Sequence, residues 1–189
     1  SNKISLKECS LILKKRGELM NSAVTPNESG MAALIGKDSE FVEKIINENK
    51  LNLEIANDNS PMQIVISGSK KELIKYKNLF LNNNIKKFID LNVSAAFHSN
   101  FMINAQNELN IDIEKLNFIE NEVKIISNFD ASLNSDSLSI KKNLKQQMAN
   151  RVNWTNSVKK LDEIGETKII EIGPNKVLSG LISRISKIF

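Results

Sequence analysis

Apolar and polar positions change rhythm twice along this chain of 189 residues. Over residues 5–23 the spacing is helical: Leu6, Cys9 and Leu13 fall on one stripe, Ser5 stands where an N-cap belongs, and Glu8 three residues on can complete a capping box. Pro26 and Gly30 end that helix. From Gly30 short strands alternate with short helices. Residues 31–35 form a continuous apolar run closed by Gly36, the pattern of a buried strand. Phe41, Val42, Ile45 and Ile46 then share a helical face, and Leu51, Leu53 and Ile55 alternate with polar residues as a half-buried strand. Asn57-Asp58-Asn59-Ser60-Pro61 carries turn chemistry ahead of a second strand at 63–67, so the two strands read as a hairpin. A helix over 70–81 follows, then a strand in which Ile89, Leu91 and Val93 alternate with Asp90 and Asn92. The order is βαββαβ, the ferredoxin-like split arrangement.

Beyond Val93 the rhythm changes again. A loop over 94–99 leads to a helix at 100–109, an apolar strand at 123–127 and helices at 139–148 and 154–164. A strand at 168–172 is stopped by Gly173-Pro174, and a helix at 176–186 closes the sequence. Strands alternating with helices of this length predict a parallel sheet. The fold class is therefore α/β: a larger lobe built from 1–29 and 94–189, with a ferredoxin-like small lobe over 30–93 inserted in it.

Composition narrows the function. With 41% apolar and 25% charged residues the chain suits a globular protein, and no apolar run approaches the ~20 residues that cross a bilayer. The single cysteine, Cys9, cannot form an internal disulfide and reads as buried helix filler; the opening residues have no apolar signal-peptide core, so a reducing cytoplasm is the expected compartment. A net charge of +4 does not point to nucleic acid: the lysines are dispersed, the arginines are Arg16, Arg151 and Arg184 alone, and no aromatic residues interleave with a basic patch. The dispersed charge can still speed encounter with an acidic partner. One cysteine and one histidine cannot supply the usual ligand set of zinc. No cofactor is expected, and a monomer is.

Two residues carry candidate chemistry. His98, the sole histidine, follows a strand in a loop, and imidazole exchanges protons near neutral pH, so it can act as a general base or simply cap the next helix. Arg16 follows two lysines on the first helix. It is either a solvated face or a guanidinium fork that takes a carboxylate through two parallel hydrogen bonds, which lysine cannot do. Serines are plentiful, but none lies in a Gly-x-Ser-x-Gly elbow.

A collinear series of motifs adds a family. Lys15-Arg16-Gly17-Glu18-Leu19-Met20, Gly30-Met31-Ala32-Ala33-Leu34-Ile35-Gly36, Asn57-Asp58-Asn59-Ser60-Pro61-Met62-Gln63, Ala96-Phe97-His98-Ser99, Asn150-Arg151-Val152-Asn153-Trp154 and Glu171-Ile172-Gly173-Pro174-Asn175-Lys176 follow one another over nearly the whole chain. In order and spacing the series resembles the C-terminal two thirds of malonyl-CoA:acyl-carrier-protein transacylases. The resemblance implies an α/β-hydrolase-like large lobe and transfer of malonyl from coenzyme A to the phosphopantetheine thiol of acyl carrier protein in fatty-acid synthesis. It implies His98 as the base of a Ser-His dyad and Gln147 as the residue whose backbone carbonyl orients it. Arg16 would be the partner of the malonyl carboxylate, and Asn59 a residue facing the cleft. The family's Gly-His-Ser-Leu-Gly elbow is expected just before Ser1, so residues 1–189 alone are expected to be inactive. Arg151 stands where the family commonly has Pro, and Met62 and Asn175 stand where it commonly has Gly. The same residues suit an acyltransferase module of a polyketide synthase; a third reading is a non-catalytic binding module built on the βαββαβ lobe.

Overall fold

In a computed structural model, residues 3–25 and 27–189 are described; Pro26, read above as a helix breaker, lies outside them. Helix α1 (Leu6–Ser22) starts on the expected capping box: Glu8 N donates to Ser5 Oγ at 3.2 Å and Ser5 N donates to Glu8 Oε2 at 3.1 Å. Its buried face is not the predicted stripe. Leu6 is 86% exposed, Leu13 is exposed and Cys9 only half-buried, whereas Leu19 and Met20 are buried. The reason is contact: α1 joins the core around its neighbouring helix through its C-terminal half, at Leu19 and Met20.

The βαββαβ order is present as β1 (Ser29–Ile35), α2 (Ser39–Glu48), β2 (Leu53–Ser60), β3 (Gln63–Ser69), α3 (Lys70–Asn82) and β4 (Lys87–Asp90). The strands make one antiparallel sheet in the order β2-β3-β1-β4. Both central strands, β1 and β3, read as near-continuous apolar runs because both their faces are covered. Leu34, Ile64 and Ile66 pack on Val42 and Ile45 of α2 and on Leu73 and Phe80 of α3. Met31, Ala33 and Val65 on the opposite face join Ala56 and pack on Phe97, in the loop that carries the histidine.

Two boundaries differ from expectation for one physical reason, pairing. The stretch 57–60 is strand, not turn, and the reversal is made by Pro61 and Met62 alone. Asp58 N donates to Val152 O at 2.9 Å and Val152 N to Ala56 O at 2.8 Å, so ladder bonds on both sides hold turn-forming residues extended. At the other edge β4 ends at Asp90, and only Leu91 N continues the ladder, donating to Met31 O at 2.9 Å.

A one-turn 3₁₀ helix, Asn100–Met102, leads into α4 (Ile103–Glu114), followed by β5 (Ile125–Ile126), β6 (Leu133–Asn134), α5 (Ser137–Gln146), α6 (Trp154–Glu163) and α7 (Val177–Ile185). The predicted parallel sheet is not formed among the described residues. β5 pairs antiparallel with β6, and 168–172 is not a strand, with Ile170 73% and Ile172 95% exposed. A strand exists only by hydrogen-bonding to a neighbour about 4.8 Å away, and no described segment runs beside 168–172. A second core joins Leu19 and Met20 of α1 to Met102, Leu109 and Ile113 around α4 and to Met148 after α5. No helix among the described residues is long and apolar enough to cross a membrane.

Candidate functional site

The loop that carries His98 is fixed from three strands. Ala96 N donates to Ser29 Oγ on β1 at 3.0 Å, Ser67 Oγ on β3 donates to Phe97 O at 2.6 Å, and Asn100 N donates to Glu54 Oε1 on β2 at 3.0 Å. Within the loop Ser99 Oγ donates to Ala96 O at 2.6 Å. Ala95, Ala96 and Met102 are fully buried and anchor the two ends. The backbone they hold is unusual: His98 has φ of 56°, in the left-handed region that a side chain with a Cβ rarely enters.

The imidazole is oriented as well as placed. His98 Nδ1 lies 3.0 Å from Gln147 O. A carbonyl can only accept, so Nδ1 carries the proton and Nε2 keeps its lone pair. Gln147 caps α5, and the residues after it are pinned: Met148 is buried and Ala149 N donates to Gln106 Oε1 at 2.9 Å. The Gln147 side chain turns elsewhere, with Nε2 at 3.4 Å from the carbonyls of both Asn150 and Arg151. Burial pushes the imidazole below its ordinary pKa; the carbonyls of Gln147 and Asn150 oppose that shift, and the positive charge of Arg16 adds to it.

Arg16 itself is half-buried on α1, and burial lowers its pKa without discharging it. Among the described residues no acid pairs with it, although the adjacent Lys15 holds Glu108 at 2.8 Å. The structure thus brings the Gln147 carbonyl to His98, with Arg16 near enough for its charge to act on the imidazole. Asn59 lies on β2, half-buried, and neither it nor Arg16 lines the cavity at His98. That cavity, about 290 Å³, is walled by Glu43, Asn47, Glu54, Asn150 and Arg151. Arg151 Nη2 reaches Glu43 Oε1 at 3.3 Å across it. Below, buried Asp58 accepts from Thr155 Oγ1 at 2.5 Å and Ser39 Oγ at 2.8 Å, fastening the antiparallel sheet to α6.

Sequence reasoning passed over Ser29, Ser67 and Glu54. The signal was a hydroxyl or carboxylate inside an otherwise apolar strand, as in Ile64-Val65-Ile66-Ser67, where a buried polar group needs a partner. Among the described residues no group of His, Cys, Asp and Glu is placed to hold a metal ion. What remains is an imidazole with Nδ1 anchored on a carbonyl, near a cation that no acid pairs among the described residues. It can take a proton from a nucleophile and hold an anionic group.

Residues 1–187 match the acyl transferase domain family, and the chain belongs to it. Over 188 residues it is 37% identical to a malonyl CoA-acyl carrier protein transacylase of Bacillus subtilis, covering 97% of this chain and 59% of that protein. Over 177 residues it is 43% identical to the polyketide biosynthesis protein PksE of the same organism, covering 92% of this chain and 22% of that one. The crystal structure of the Clostridium perfringens malonyl CoA-acyl carrier protein transacylase superposes with a TM-score of 0.93 at 32% identity, covering 99% of this chain and 60% of the other. A malonyl-transacylase solved in complex with a type II polyketide acyl-carrier protein gives a TM-score of 0.91 at 30% identity, over 97% of this chain and 60% of that one. The chain therefore spans about three fifths of these transacylases and about a fifth of PksE.

Proposed function

We propose that this chain is the histidine-bearing part of an acyltransferase that moves malonyl from coenzyme A to the phosphopantetheine thiol of an acyl carrier protein. The observation that carries the reading is the His98 Nδ1 to Gln147 O contact of 3.0 Å, with the unpaired Arg16 beside it. In the proposed reaction a serine from the remainder of the full-length protein attacks the thioester carbonyl while His98 Nε2 takes its proton; the imidazolium then protonates the departing thiolate. The second transfer runs the same steps backwards with the carrier's thiol. Arg16 pairs with the malonyl carboxylate throughout. The βαββαβ unit over 30–93 acts as a ferredoxin-like small lobe, and 1–29 with 94–189 supplies part of a hydrolase-like large lobe whose parallel strands the remainder completes. The chemistry needs no metal or organic cofactor.

Whether the carrier belongs to fatty-acid or polyketide synthesis does not alter these steps; the 43% identity to PksE favours a polyketide setting as the second reading. The test is malonyl transfer by the full-length protein from radiolabelled malonyl-CoA. His98→Ala is expected to slow it by about 10² to 10⁴, the range for losing a general base. Near-normal turnover by that variant contradicts the proposal.

A further inference from the structure

The sheet does more than stand beside the histidine. Ser29 and Ser67 lie diagonally across the β1/β3 pair, Ser67 opposite Met31, on the face that also carries Met31, Ala33 and Val65. The two residues are 1% and 0% exposed, so neither hydroxyl is positioned to serve solvent or substrate. Each instead ends on the main chain immediately before His98, Ser29 Oγ on Ala96 N and Ser67 Oγ on Phe97 O. The Phe97 carbonyl belongs to the peptide plane whose other end is His98 N, and φ of His98 is the rotation of the residue against that plane. A hydroxyl fixed at 2.6 Å on this carbonyl resists the rotation that would let His98 leave its φ of 56° for an ordinary conformation.

We propose that Ser67, assisted by Ser29, is a positioning residue: it locks the left-handed backbone of His98 and so holds the imidazole against the Gln147 carbonyl with Nε2 free. This rests on the reading of His98 as the proton acceptor, and it gives the βαββαβ unit a part in setting the base, apart from any contact it makes with substrate. Neither serine touches the ring, so their effect passes through the backbone alone. The charged groups around the ring, Arg16 from α1, Glu43 from α2, Glu54 from β2 and Arg151 from the segment before α6, are unchanged by substitution of either serine.

His98 is the sole histidine, so its ring nitrogens can be followed without assignment ambiguity in the 189-residue chain by ¹⁵N NMR. In the unsubstituted chain the neutral ring is expected as the Nδ1–H tautomer. In Ser67→Ala the ring is expected to populate both tautomers, because it loses its fixed carbonyl, and to titrate closer to the ordinary imidazole value, because the burial that depresses it, the larger effect, is partly lost. Ser60→Ala is the control: Ser60 is equally buried on β2, but its hydroxyl accepts only from Met62 N in the hairpin, at 3.4 Å. It should leave both signals in place. In the full-length protein Ser67→Ala should lower kcat about 10-fold with KM for malonyl-CoA unchanged, a fraction of the effect of losing the base itself. If Ser67→Ala does not fold, Ser29→Ala is read in the same way. A tautomer and titration midpoint within about 0.2 pH unit of the unsubstituted chain in the folded variants overturns the proposal, since that is well below the roughly one-unit spread environments impose on histidines. So does loss of folding in both variants, which would make the serines elements of stability alone. Failure of the transfer assay in every variant, with the NMR changes present, would instead indict the assignment of function.

Discussion

A histidine serves as a base at neutral pH only if it is neutral and its free nitrogen points at the proton. Burial secures the first condition for His98, and the Gln147 carbonyl, 3.0 Å from Nδ1, secures the second. Arg16 contributes to the same end, because a nearby cation penalises the imidazolium. With its folded pKa below the ordinary value of about 6.5, His98 is neutral at pH 7, and transfer should fall only as the pH drops through that lowered midpoint. Stability follows the same direction: the contribution is present above the unfolded value and is lost as the pH falls through the folded one. Arg16→Ala removes one cause of the depression and should raise the His98 midpoint toward the ordinary value, read by NMR on the single histidine of the 189-residue chain. A midpoint that stays or falls would separate the two residues electrostatically.

At the scale of elements, the joint between the antiparallel sheet and the rest of the molecule is held by buried polar contacts. Asp58 is buried on bulged β2, accepts from Thr155 and Ser39, and its own N–H is held by Val152. Asp58→Ala leaves Thr155 Oγ1 only the Asp58 carbonyl, at 3.2 Å, and half-buried Ser39 without its carboxylate acceptor, and should cost about 1–3 kcal/mol in chemical denaturation, the penalty of weakened buried polar contacts. An unchanged midpoint would show the joint to be solvated. That joint also explains what the sequence hid. Helices declared themselves through caps and periodicity, as Ser5 with Glu8 did for α1, and the apolar runs of β1 and β3 were legible because burial on both faces leaves them uninterrupted. Asn57 to Ser60 were not legible as strand, since what keeps them extended is Val152, nearly a hundred residues away, and local turn propensity gives no sign of it. His98 stood out as the lone histidine and Arg16 by resemblance, whereas Ser29 and Ser67 act through a backbone contact that no local pattern announces.

At the scale of the molecule, two cores of different completeness meet. The sheet with α2 and α3 closes around Phe80, Leu34 and Ile64, none of which is accessible. At β5, in 168–172 and in the first turns of α1, apolar residues such as Leu6, Ile170 and Ile172 face outward. The transacylases it resembles extend beyond the part it matches by about two fifths of their length. His98 and Arg16 together form the proposed malonyl-transferring site. Its most direct test is kcat/KM of the full-length protein for malonyl-CoA and acetyl-CoA, with Arg16 intact, as Arg16→Lys and as Arg16→Ala. Loss of a charge-assisted pair of about 1.5–3 kcal/mol should cut malonyl transfer by roughly 10- to 150-fold in Arg16→Ala, with Lys intermediate because it restores charge without the fork. Acetyl transfer, which has no carboxylate to lose, should hold or rise, so the malonyl preference collapses. Equal proportional losses for the two thioesters would contradict the account and leave Arg16 a structural residue.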